Sequence, residues 1–374
     1  MNLREQFRFL YSSMIFTGLN SFWIGNHSML YGLFNYGYRN VLTAIAVVHV
    51  ILESCADCSF GRVLNFAEQI TVIGVEFFIE YQTLLYLFIL RNYYVFYGSE
   101  HHRLLSKLGY LCRIFNVNSP KLRYKYYFYI GLIIIPKFLL VLPYYQVLQD
   151  IMAVFMEGTL VFNTFSISIC VIESSFIIST LGSLFDQLQR ADFNDTIRYN
   201  YSITLLELID EINDFYGLIF LLVCVQQLSW MTVLVYKYWL YPSEMILFQD
   251  KYLQMLSKLS WSTTCFALID LVYTSQSTIS KANEAALSTR HFDDYSMKNT
   301  KLAKQINKFL LKNLHQKKKF SAFGFFNIDN SVIYTVFSSI ITYLVILIQF
   351  KQLENDLTHG NSGNETISAA GGST

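Results

Sequence analysis

Charge is what this chain has least of. Only 15% of its 374 residues are charged, against 53% hydrophobic and 17% aromatic, with four prolines in all. Soluble domains carry about 25% charged residues, so an ordinary soluble protein is set aside and an integral membrane protein becomes the default. Cysteine is sparse as well: six residues, of which only Cys55 and Cys58 are close in sequence. A lone C-x2-C lacks the other two ligands of a structural zinc site, which leaves a local disulfide or two free thiols. No nucleophile and base stand at a catalytic spacing, and no phosphate-binding loop or metal cluster is present. The expectation is no enzyme, no cofactor and no metal. Basic runs interleaved with aromatics are missing too, which removes nucleic acid as a partner. The net charge of +1 excludes little, because in a membrane protein the placement of Lys and Arg carries the information.

What is present is a series of apolar runs long enough to cross a bilayer as helices. They predict an all-α integral membrane protein with seven transmembrane helices. Residues 1–36 carry Arg4 and Arg8 ahead of a modest apolar stretch, then Asn20, Gly25, Asn26 and His27. Lacking a small-x-small cleavage site, they read as an uncleaved cytosolic or interfacial segment, with an extra membrane segment over residues 9–24 as the alternative. Six spans are expected within 37–279: Gly37–Cys55, Ile70–Tyr94, Tyr126–Val147, about Ile151–Leu184, Phe215–Tyr241 and about Tyr252–Ile279. The polar stretch Phe185–Asp214 has helix-like spacing at Ile203, Leu206 and Ile209 and is expected as a cytosolic helical extension. Residues 280–330 hold a lysine-rich amphipathic helix, with Leu302, Ile306, Leu310 and Leu314 at four-residue steps, and a linker. Residues 331–350 form the seventh span, and 351–374 a polar tail.

Charge placement gives the orientation. With the N-terminus inside, 22 of the 28 Lys and Arg fall on inside segments and five outside, Lys137 lying within the third span. The positive-inside rule therefore makes the N-terminus cytosolic and the C-terminus extracellular. That is opposite to a seven-span G-protein-coupled receptor, and the Asp-Arg-Tyr and Asn-Pro-x-x-Tyr motifs of that class are missing. Glu76 and Glu80 share one face of the second span, and Lys137 follows Pro136 in the third. Charges inside a membrane need a partner, water or a cavity. A structural ion pair among them is one reading, and a membrane transporter using them as a proton relay is another.

The seventh span is the most informative. Its 20-residue run Ser331–Phe350 contains Thr342 near the middle and Gln349 at its end, with Val345 and Ile346 between them. Positions 342, 345, 346 and 349 fall on one helical face. A Gln side chain in hydrocarbon is unfavourable unless hydrogen-bonded or wet, so this face looks at protein or water. Packing against another helix and an interfacial position at the membrane edge both satisfy that. So does a third arrangement, in which several copies surround one axis. Gln349 then makes a polar ring and Val345 or Ile346 an apolar ring one turn away, a filter beside a dewetting gate.

The string Thr342-Tyr343-Leu344-Val345-Ile346-Leu347-Ile348-Gln349-Phe350 resembles the TYhhhhhQF signature (h, hydrophobic) that ends insect gustatory receptors. Gly324-Phe325-Phe326-Asn327-Ile328-Asp329 is similar to the stretch that leads into it. The resemblance implies a ligand-gated, non-selective cation channel opened by an extracellular small-molecule tastant. It implies assembly as a homo- or hetero-tetramer with other gustatory receptors, among membrane lipids, in the plasma membrane of chemosensory neuron dendrites. On that basis Gln349, Ile346, Val345 and Thr342 line the pore and gate. The cytosolic ends of spans four to six and the helix before span seven form a central anchor. The resemblance also implies an outward-facing ligand pocket among spans two to six. The topology offers it Glu76, Glu80, Lys137, Tyr144, Tyr145, Glu157, Asn163, Gln227, Trp230 and Trp261, against the plainer reading that such side chains are core or lipid-facing. Glu173 and Asp270 lie toward the cytosolic halves and read as structural partners.

An extracellular C-terminus makes Asn364, in Asn364-Glu365-Thr366, a usable glycosylation acceptor, while Asn194 and Asn200 would face the cytosol. In cells, glycosidase treatment is expected to increase the gel mobility of the chain, with Asn364→Gln abolishing that shift. A shift that survives Asn364→Gln and disappears with Asn194→Gln would invert the topology.

Overall fold

The computed structural model describes residues 8–19, 37–45, 47, 48, 70–117, 124–132, 135, 136, 139, 151–191, 193–236, 251–288, 304 and 318–370. Its elements are α1 (Arg8–Phe16), α2 (Ile70–Phe96), α3 (Gly98–Ile114), α4 (Ile151–Arg190), α5 (Asp195–Val235) and α6 (Lys251–Ser288), then the short strands β1 (Ser321–Ala322) and β2 (Phe326–Asn327), and α7 (Asn330–Ala370). Residues 37–45 and 124–132 are helical pieces of the expected first and third spans. Cys55, Cys58 and most of the lysine-rich stretch 298–319 lie outside the described residues. Among the described residues, three helices are long and apolar enough to cross a membrane, within Val161–Arg190, Thr196–Val235 and Asn330–Leu353.

Two element boundaries differ most from the sequence expectation. The extension before span five and the span itself form one helix of 41 residues. The side chain of Asn194 accepts a hydrogen bond from Thr196 N at 3.3 Å at its start, and no proline interrupts the chain from there to Val235. The last helix likewise runs past Phe350 to Ala370, since the polar residues beyond the span include no proline to stop it.

The linker before span seven also contains a small antiparallel hairpin, with Ser321 paired to Asn327 and Ala322 to Phe326. Its turn needs left-handed backbone at Phe323 (φ 52°) and Gly324 (φ 79°); glycine takes this readily, phenylalanine does not. The hairpin is held on α5. Asn213 donates from Nδ2 to Lys319 O at 2.7 Å and accepts from Ser321 N at 3.0 Å. One turn on, a Cβ at Gly217 would sit 3.1 Å from Phe323 N. Glycine there lets the hairpin backbone lie against the helix.

Helix α4 is the centre of the bundle. Of its most apolar window 89% is buried, and it packs on α1, α2, α3, α5 and α6. Its closest partner is α6, along a seam where small side chains meet: Ser175 and Gly182 on α4 against Thr274 and Thr278 on α6. Small residues let two backbones approach, the usual device for packing helices in a membrane, where lipid offers no hydrophobic drive between them. Thr278 Oγ1 donates to Ile178 O at 3.0 Å, across the seam.

Two buried carboxylates are paired inside this bundle. Asp270 accepts from Lys125 Nζ at 2.6 Å, Ser175 Oγ at 2.6 Å and Tyr129 OH at 3.3 Å. Glu173 accepts from Tyr94 OH at 2.8 Å and lies 3.0 Å from His101 Nε2, whose ring stacks on Phe215 and meets Tyr216 OH. Both acids thus tie neighbouring helices to α4 or α6, as buried charges must be tied to be tolerated.

A Cβ built on Gly182 would lie 2.7 Å from Thr278 Oγ1. Gly182→Ala is therefore expected to destabilise the bundle by about 1–3 kcal/mol, seen as a lower melting midpoint of the purified chain. Adding Thr278→Ala, which removes the hydroxyl, should recover part of the loss. An unchanged midpoint in Gly182→Ala would show that the seam is looser than described.

Candidate functional site

The last helix presents two contrasting faces. Only 11% of its most apolar window is buried within the chain. The contact face is narrow, with Val332 and Ile340 buried near the start of the helix and Lys351 after the span. On the opposite side Thr342, Val345, Ile346 and Gln349 are all exposed, as are Tyr343 and Phe350 of the same string.

The exposed face extends further than the four positions that the sequence singles out. Ser331, Thr335, Ser338, Thr342 and Gln349 succeed one another at steps of four, three, four and seven residues, which puts them in one stripe, and all five are exposed. Thr335 and Thr342 donate to the carbonyls of Ser331 and Ser338, each at 3.0 Å, so these hydroxyls are satisfied by their own helix. The side-chain amide of Gln349 makes no hydrogen bond to another described residue. Between Thr342 and Gln349 the stripe is broken by Val345 and Ile346, 47% and 40% exposed. The signal for the three additional residues was available in the helical spacing; it was hidden because a serine or threonine is cheap to bury in a helix and so less conspicuous than a glutamine.

The pocket candidates divide. Gln227 is buried and Trp230 half-buried on α5, one turn apart. Cys265 on α6 stands 3.8 Å from Gln227 Oε1 and 2.9 Å from Met231 Sδ. Trp261 lies one turn from Cys265 on α6, its side chain outside the described set. On the other flank of α5, Gln226 Nε2 donates to Thr83 Oγ1 of α2 at 2.6 Å. Glu80 is one turn before Thr83 and Glu76 a further turn away; both lie on α2, with side chains outside the described set. Residues 226–231 of α5 thus bridge the helices that carry Glu80 and Trp261.

Asn163 is buried on α4, next to Phe162, whose ring meets Phe16 of α1 edge-on at 5.5 Å. No contact among those described joins it to the α5 group. Glu157 lies on α4 with its side chain outside the described set, Lys137, Tyr144 and Tyr145 are outside the described residues, and Asn364 lies in the final turns of α7. Gln226, which the pocket set did not include, is buried, and its Oε1 accepts no hydrogen bond; the same holds for Gln82 Oε1 on α2. Two orphaned acceptors on facing helices are what a donor-bearing ligand would satisfy.

No group of three or more His, Cys, Asp or Glu is arranged to hold a metal among the described residues. Burial pushes the Cys112 thiol, on α3, up to about 12, so it stays protonated and is no thiolate ligand or nucleophile.

Comparison with known proteins points one way. The fold is similar to that of the insect olfactory receptor OR5 from Machilis hrabei, with a TM-score of 0.62 at 12% identity over 93% of this chain and 98% of that one. The same receptor in complex with eugenol aligns with a TM-score of 0.54 over the same shares. In sequence, the chain is 36% identical over 103 residues to gustatory and pheromone receptor 39a, isoform A, of Drosophila melanogaster, covering 28% of this chain and 27% of that receptor. It is 60% identical over 50 residues to gustatory receptor 68a of the same fly, covering 13% of each. The chain thus aligns with roughly a quarter or less of the length of these relatives. The family model for the 7tm chemosensory receptor matches residues 7–354. The chain therefore belongs to the 7tm chemosensory receptor family, and the relatives it matches there are insect gustatory receptors.

Proposed function

We propose that this protein is a gustatory receptor subunit acting as a ligand-gated, non-selective cation channel. Seven spans cross the plasma membrane of a chemosensory neuron, with the N-terminus cytosolic and the C-terminus outside. Four subunits, identical or mixed with other gustatory receptors, bring their α7 helices around one axis. The observation that carries the reading is the exposed polar stripe Ser331, Thr335, Ser338, Thr342 and Gln349, interrupted only by Val345 and Ile346. Lipid accepts the apolar flanks of such a helix but not a carboxamide, whereas a water-filled axis accepts the stripe. In this arrangement the hydroxyls line the conduit, Val345 and Ile346 close it by excluding water, and Gln349 forms a polar ring one turn beyond.

The ligand is a small molecule held among α2, α5 and α6, near Gln226, Gln227, Trp230 and the turns bearing Glu80 and Trp261. It opens the channel only to the extent that it binds the open state more tightly than the closed one. The hairpin offers the mechanical link. It is hydrogen-bonded to α5 through Asn213 and continues directly into α7. A shift of α5 at the ligand is thereby felt at the base of the pore helix.

The test is whole-cell recording of the chain, alone and with related subunits, under a panel of tastants. Wild type is expected to give ligand-evoked cation current. Gln349→Glu should favour cations further by on the order of 1 kcal/mol at the ring, a several-fold change in permeability ratio or block by divalent cations. Val345→Ala with Ile346→Ala should raise current without ligand. Signalling through G proteins with no current, or current indifferent to all three substitutions, would overturn the channel reading.

A further inference from the structure

Two buried arginines have no role in that reading. Arg39 stands in the helical stretch 37–45 and Arg91 near the end of α2, 6% and 2% exposed. Both converge on Gly18, just after α1: a Cβ built there would lie 3.4 Å from Arg39 Cγ and 3.8 Å from Arg91 Nε. The two guanidiniums are near enough to repel each other.

Their hydrogen bonding is thin. Arg91 donates from Nε to Thr17 O and from Nη1 to Thr43 Oγ1, each at a long 3.4 Å. The Nη2 atoms of both arginines are buried and have no acceptor. Among the described residues no carboxylate pairs with either: Asp270 is paired with Lys125, and Glu173 takes its hydrogen bond from Tyr94. Two like charges buried side by side are tolerated only with a counter-charge. Planar guanidinium forks match the oxygens of a phosphate better than a spherical anion, and two forks can share one phosphate.

We propose that Arg39 and Arg91 form a binding site for the phosphate of an anionic membrane lipid, where α1, the stretch 37–45 and the end of α2 meet. Arg39 is near the start of the first span and Arg91 near the end of the second, so both stand at the same end of an antiparallel pair, at headgroup level. Basic pockets between helices at that depth suit anionic headgroups. The orientation proposed above makes this the inner leaflet; the site itself does not depend on the channel reading. Because the chain covers both Nη2 atoms, binding requires α1 to shift, and α1 is a short helix of nine residues.

Native mass spectrometry of the purified full chain in detergent tests this. Phosphatidylglycerol, phosphatidylcholine and inorganic phosphate are titrated separately and in competition. One phosphatidylglycerol per chain should be retained in preference to phosphatidylcholine, and Arg39→Gln or Arg91→Gln should each weaken it about tenfold or more. Arg39→Lys and Arg91→Lys keep the charge but lose the planar fork, so they should weaken binding severalfold, less than the Gln variants, which separates loss of the fork from loss of fold; size-exclusion profiles report the fold directly. Should a Gln variant fail to fold, the wild-type competition and the Lys variants still decide. Full displacement by inorganic phosphate, with the same arginine dependence, would make the occupant a soluble phosphate and overturn the lipid source. Equal retention of the two lipids, or retention indifferent to both arginines, would overturn the site.

Discussion

The crossing of α4 and α6 at Gly182 and Thr278 is the contact from which the rest of the bundle hangs. With Thr278 Oγ1 where a Cβ of residue 182 would be, the two backbones are as close as side chains permit. That closeness sets what can happen above and below. Seven residues along α4, Ser175 reaches Asp270 and Thr274 on α6, and Asp270 in turn holds Lys125, just before the third expected span, and Tyr129 within it. Had the seam been wider, the Ser175 hydroxyl could not bridge it, and Asp270 would be a buried charge with one cation and little else. The polar contacts are therefore consequences of the packing, and their value in a membrane interior lies as much in fixing which faces meet as in net stability.

A second chain of contacts runs from the core to the outermost helix. Glu173 on α4 holds Tyr94 of α2 and His101 of α3, and the His101 ring stacks on Phe215 of α5. Tyr93 OH donates to Phe215 O at 2.8 Å. Two residues before Phe215, Asn213 grips the hairpin, and two residues after it, Gly217 admits the hairpin backbone. Within five residues α5 is thus fastened on one side to the buried Glu173 group and on the other to the element that leads into α7. A protein can have a loosely packed final helix and still control it, provided the root of that helix is held where the rest of the fold is stiffest.

How much of this was legible in the sequence depends on the kind of residue. Long apolar runs with few charges placed the starts of α2, α4, α6 and α7 to within a residue or so, because span length is a strong physical constraint. The junction at 185–214 was less legible: a polar helix and an apolar helix differ in composition but not in backbone, so nothing in composition says whether they are continuous. The hairpin was invisible, since two-residue strands carry no periodicity to read. Gln349 stood out because an amide in an apolar run is rare, while Ser331, Thr335 and Ser338 passed unnoticed though they lie on the same stripe. The pocket residues were the least legible. Gln227 and Trp230 announce themselves as polar or aromatic, but whether they face α6, lipid or a cavity depends on helix rotation, which packing decides.

The contrast between the bundle and α7 bears on assembly. Inside the bundle the buried carboxylates Glu173 and Asp270 both have partners, and the helix at its centre is nearly all covered. The last helix is barely covered, and its exposed surface is not of one kind: Tyr334, Phe337, Ile341, Tyr343 and Phe350 are apolar and exposed, while the stripe through Thr342 to Gln349 is polar. Lipid alone would suit the first set and leave the Gln349 amide unsatisfied. Water alone would suit the second and leave the aromatics wet. In the assembly proposed above, like stripes placed around a common axis would wet the polar face and leave the flanks to neighbouring subunits or lipid. The two other readings of Gln349 divide that surface differently: packing against a helix of another chain would cover the stripe, while an interfacial glutamine would place Gln349 alone at the membrane edge and leave Thr335 and Thr342 satisfied by their own helix.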